Sequence, residues 1–65
     1  MITVNGEQHS LAEGLTMRQL LGTLSMPEKG IAVAVDGTVL PKSRWDVTTV
    51  EKGWTIEILT AVQGG

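Results

Sequence analysis

An α+β fold, one β-sheet with a single helix across one face, is what the order of elements in these 65 residues predicts. Three observations carry that expectation. Apolar and polar residues alternate near both ends of the chain, at Ile2-Thr3-Val4 and again over 54–59, which is the period of a strand. Asn5-Gly6 and Asp36-Gly37 each follow a strand-like run and suit tight hairpins, because both residues of such pairs tolerate positive φ. Between them, Met17, Leu20, Leu21 and Leu24 fall at i, i+3, i+4 and i+7, one apolar stripe of a helix.

Taken in order, Ile2 and Val4 face one way, and the hairpin at Asn5-Gly6 returns through a strand over 7–11 with Leu11 inward. The helix begins at Thr16, whose side chain can cap it, with Gln19 three residues later completing a capping box. Leu15 and Leu20 are placed to form a hydrophobic staple, and Pro27 is expected to end the helix. Gly22 inside it costs about 1 kcal/mol relative to alanine, so packing must hold the helix in place. A strand over 31–35 points Ile31, Val33 and Val35 to the core and leaves Ala32 and Ala34 on the opposite face. After Asp36-Gly37, Thr38-Val39-Leu40 returns until Pro41, and 41–46 is expected to be irregular with Trp45 and Val47 folding back as a lid. The last strand, 54–59, sends Trp54, Ile56 and Ile58 to one face and Thr55, Glu57 and Leu59 to the other. The first and last strands are the most apolar and are expected side by side in the middle of the sheet.

Composition narrows the chemistry. There is no cysteine, hence no disulfide, thiol nucleophile or thiolate metal site. Five Lys/Arg stand singly in a chain of net charge −2, which offers no basic stripe for nucleic acid. No apolar run approaches a membrane span and the first residues do not resemble a signal peptide, so a soluble cytoplasmic domain is expected. The one histidine, His9, lies on a short polar strand without a metal-binding pattern and reads as solvated. The carboxylates form no pair of the kind acid–base catalysis needs. No residue is assigned a catalytic role, and no metal site is expected.

What remains is the end of the chain. Residues 60–65 finish on Gln63-Gly64-Gly65, and glycine, without a Cβ, can thread a channel too narrow for other residues. A body over 1–60 and a tail over 61–65 follow, with the carboxylate of Gly65 as the candidate reacting group. Ala32, Ala34, Leu59 and Val62 would form a shallow apolar patch beside that tail, a candidate docking site for a partner.

Over essentially its whole length the chain resembles the ThiS family, the sulfur carriers of thiamine biosynthesis. The resemblance rests on Val4-Asn5-Gly6, Thr16 with Leu20-Leu21, Ala32-Val33-Ala34-Val35, Pro41-Lys42-Ser43 with Trp45, and the ending Thr60-Ala61-Val62-Gln63-Gly64-Gly65. It implies a ubiquitin-like β-grasp, a mixed sheet of four to five strands with the helix packed across one face. It also implies that a ThiF-like adenylating enzyme uses ATP and Mg²⁺ to activate the Gly65 carboxylate, the carrier binding no cofactor itself. Sulfur from a cysteine-desulfurase-type donor then yields a thiocarboxylate, which a ThiG-like thiazole synthase consumes. The carrier itself is then not an enzyme. Two positions depart from the family pattern: Lys42 stands where arginine is common, and Gly53-Trp54 where Gly-Asp is common. The second is expected to put a large apolar residue near a partner-facing edge. Similar in fold and ending are the small subunit of molybdopterin synthase, usually longer and without the Pro…Trp segment, and protein modifiers of the ubiquitin type.

Overall fold

The computed structural model describes residues 1–10, 14–27 and 29–60. Five strands, β1 (Ile2–Val4), β2 (Glu7–His9), β3 (Ile31–Val35), β4 (Thr38–Leu40) and β5 (Thr55–Thr60), form one sheet in the order β2-β1-β5-β3-β4. One helix, α1 (Met17–Thr23), and a 3-10 turn over Lys42–Arg44 complete the elements among the described residues. β1 runs parallel to β5 and every other pairing is antiparallel, so the sheet is mixed and β5 is its central strand. This is the β-grasp arrangement that the resemblance implies. The return strand is shorter than its expected span, stopping at His9, and Leu11 lies outside the described residues.

One face of the sheet carries the core. Ile2, Val4, Val33, Ile56 and Ile58 are buried there with Met17, Leu20 and Leu21 of α1, and with Trp45 and Val50. Strand alternation therefore sorts β5 as expected, Ile56 and Ile58 inward and Thr55, Glu57 and Leu59 outward. Trp54 is half-buried against the same core, at the end of β5 remote from Thr60. Its parity with Ile56 and Ile58 is the one that strand alternation predicts.

The helix start is fully paired. Thr16 and Gln19 form the capping box, with Gln19 N–H donating to Thr16 Oγ1 at 3.2 Å and Thr16 N–H donating to Gln19 Oε1 at 3.0 Å. The two N–H groups before it, of Met17 and Arg18, donate to the carbonyls of Thr48 and Trp45. The helix end departs from expectation. α1 stops at Thr23, well before Pro27, because Ser25 takes φ 59° and the N–H groups of Ser25 and Met26 donate back to Gly22 and Leu21. That is a Schellman motif, which satisfies terminal carbonyls that proline could not reach.

Trp45 is not a lid. It is 1% exposed, among the largest side chains of the core, and its indole N–H donates to the Leu40 carbonyl at 3.1 Å. The 3-10 turn over Lys42–Arg44 rotates the chain so that Trp45 enters the core, while Val47 is left 71% exposed. Arg18 covers this segment, its Nε donating to Asp46 and its guanidinium 5.9 Å from the Trp45 ring centroid. An isolated bridge between Thr16 and Thr49 and the bond from Val50 N–H to the Leu15 carbonyl tie the same segment to the helix entrance.

Candidate functional site

The last described residue, Thr60, ends the central strand in the middle of one end of the sheet. β5 pairs with β3 as far as Thr60, opposite Ile31, so Thr60 belongs to the sheet and not to the arm. Val62, Gln63, Gly64 and Gly65 lie outside the described residues.

The outer face next to that strand end is apolar. Ala32 of β3 stands opposite Leu59 of β5, and one row further along Ala34 stands between Glu57 and Val39. Leu59 is 64% exposed and Val39 69%, with Ala32 exposed and Ala34 half-buried. Leu59, Ala32, Ala34 and Val39 therefore form a contiguous patch across β5, β3 and β4, bordered by the Glu57 carboxylate. On the other side of β5 the same face turns polar, with Thr55 opposite Thr3 and Thr3 opposite Gln8. Three residues expected at the patch thus come together, and Val39 is one that sequence reasoning missed. Its signal was present, since alternation in Thr38-Val39-Leu40 sets Val39 against Leu40, but only the register of β4 on β3 places it beside Ala34.

Other candidate chemistry is sparse. His9 is half-buried, its side chain still 32% exposed, and on β2 it stands opposite Ile2. Its Nε2 lies 3.7 Å from a Glu7 carboxylate oxygen. Among the described residues no group of three His, Cys, Asp or Glu side chains could hold a metal ion. Every buried side-chain nitrogen or oxygen among them has a hydrogen-bond partner. No helix of the described residues is long and apolar enough to cross a membrane.

Comparison with known proteins places these features in context. The model of the ThiS family matches residues 2–65, through the last residue. The crystal structure of the thiamine biosynthesis protein ThiS from Geobacter metallireducens is 34% identical and superposes with a TM-score of 0.84, covering 98% of this chain and 97% of that one. The sulfur carrier protein ThiS of Escherichia coli is 28% identical over 64 residues, 98% of this chain and 97% of its own length. A thiazole synthase from Paramagnetospirillum magneticum is 30% identical over 64 residues, and there the chain spans only 20% of the relative's length.

Proposed function

The chain belongs to the ThiS family and is a sulfur carrier of thiamine biosynthesis, and on that premise we propose that its carrier group is the carboxylate of Gly65. The observation that carries this reading is that the family match runs unbroken into Gln63-Gly64-Gly65. Composition supports it from the other direction, since a chain without cysteine must carry sulfur on something other than a thiol.

A carboxylate resists attack until one of its oxygens becomes part of a good leaving group. A partner adenylating enzyme, using ATP and Mg²⁺, transfers AMP to a Gly65 oxygen and releases pyrophosphate. Sulfur from a persulfide donor of the cysteine-desulfurase type then adds to the Gly65 carbonyl and AMP departs. Reductive cleavage of the S–S bond by a thiol leaves the thiocarboxylate. Gly65 and Gly64 contribute an unhindered approach to that carbonyl. Residues 61–65 act as an arm on the body formed by 1–60, and extended they reach at most roughly 18 Å at ~3.3–3.6 Å per residue. The chain is a co-substrate, and the chemistry belongs to its partners.

The patch of Ala32, Ala34, Val39 and Leu59 is where the adenylating enzyme docks, with Val62 as a further docking residue. Thiazole synthase is the consumer of the sulfur, a reading supported by the similarity of the whole chain to one stretch of a protein that bears that name. The test is the intact mass of the chain after incubation with adenylating enzyme, ATP, Mg²⁺ and a sulfur donor. One oxygen replaced by sulfur at the C-terminus is expected, and none in a chain lacking Gly65. Sulfur transfer that survives deletion of Gly65 would overturn the assignment.

A further inference from the structure

Both hairpins send a side chain to β5, and the two do different work. At Asp36 (φ 49°) the backbone N–H donates to the Thr55 carbonyl at 2.8 Å, and the carboxylate accepts from Thr55 N–H at 3.1 Å. A backbone donor and a side-chain acceptor thus secure the beginning of β5. At Asn5 (φ 50°) the backbone N–H is already committed to the Ile56 carbonyl at 2.9 Å. The Asn5 side chain then supplies both partners of the next residue on that side. Its Oδ1 accepts from Ile58 N–H at 2.8 Å and its Nδ2 donates to the Ile58 carbonyl at 3.2 Å.

The reason lies in the parallel ladder. β1 follows β5 through Thr3↔Thr55 and Val4↔Ile56, then leaves it at the Asn5-Gly6 turn. A continuing parallel strand would present an N–H and a carbonyl to Ile58. The primary amide of Asn5 has the same donor and acceptor and takes their place, which aspartate, with no donor, cannot do. β5 is therefore held on both flanks up to Ile58, two residues before the strand's end at Thr60.

We propose that Asn5 is a positioning residue for sulfur loading: its amide clamps Ile58 and so sets where and in which direction the C-terminal arm leaves the sheet. The inference rests on the reading of Gly65 as the carrier group. Releasing the clamp broadens the directions in which the arm departs and lowers the fraction of molecules poised to thread. Apparent affinity falls in proportion to that fraction, while the chemistry of a threaded arm is unchanged.

The test uses Asn5→Gly, which keeps the left-handed turn and removes the amide, beside Asp36→Gly, which removes the clamp at the other end of β5. Without any partner, amide exchange at Ile58 is expected to accelerate at least roughly tenfold in Asn5→Gly and to stay unchanged in Asp36→Gly. With the adenylating enzyme, at temperatures where circular dichroism shows both variants folded, KM for the chain is expected to rise about tenfold in Asn5→Gly with kcat within about twofold. Asp36→Gly should keep the KM of the unaltered chain. Equal KM values for the two variants, or a fall in kcat at constant KM, overturn the clamp while leaving the role of Gly65 intact. An unaltered chain that is not adenylated at all overturns both.

Discussion

The two faces of β5 differ in everything but their backbone. Toward the helix, Ile56 is 0% and Ile58 5% exposed; toward the outside, Leu59 is 64% exposed and Thr55 and Glu57 are exposed with it. A two-residue period thus sets side chains that hold the fold one residue away from side chains that contribute little to it. The lesson is that recognition and stability are separable in this strand, even though it is the central one. An outer face that adds little to the core is free to serve a partner, and it lies directly before the residues proposed to react.

The sharpest way to break that separation is Ile56→Ala. Deleting three carbons from a fully buried site should cost about 2–5 kcal/mol, a large share of what so small a domain has, and urea or thermal unfolding reads it. A loss below about 1 kcal/mol would mean that the inner face is not where stability resides. Leu59→Asp tests the opposite face. Stability should change by no more than about 1 kcal/mol, the span of strand preferences. Affinity for the adenylating enzyme should weaken about tenfold or more, near 1.4 kcal/mol, by calorimetry or surface binding. Unchanged affinity with an unchanged circular dichroism spectrum would remove this face from the docking surface.

Val39→Asp extends the question across the sheet. Val39 shares the face but sits on β4, two strands from the arm, so its effect on affinity should have the same sign and be about threefold. An effect as large as that of Leu59 would shift the centre of the patch toward β4. Smallest is Glu57→Gln, an exposed carboxylate beside the patch. Folding should stay within about 0.5 kcal/mol, and any change should appear in the association rate and its salt dependence.

The sequence made the helix entrance and the sorting of strand faces legible for the same reason: both are local. A capping box spans three residues, and strand alternation is a property of the backbone itself, so Thr16 with Gln19 and Ile56 with Ile58 were read correctly. The helix exit is not legible in the same way, because proline is a conspicuous stop and a serine in a left-handed conformation is not. Ser25 ends α1 only because the carbonyls of Gly22 and Leu21 are in place to be bonded. The burial of Trp45 is hidden from the sequence for a related reason. An aromatic residue in an irregular segment can close over a core or enter it, and the choice depends on space between α1 and the sheet that no local pattern encodes.

The proposed docking face divides along the same line. Ala32, Ala34 and Leu59 followed from alternation, whereas Val39 joined them only through the register of β4 on β3. By itself the sequence determined the order of elements, the inward and outward residues of β1, β3 and β5, the family, and Gly64-Gly65 with no thiol elsewhere in these residues. Tertiary structure decided the burial of Trp45, the breadth of the outer patch and the bond of Asn5 to Ile58 across 53 positions. Those contacts join residues far apart in the chain, and their energies exist only once the sheet has brought the two ends of the protein side by side.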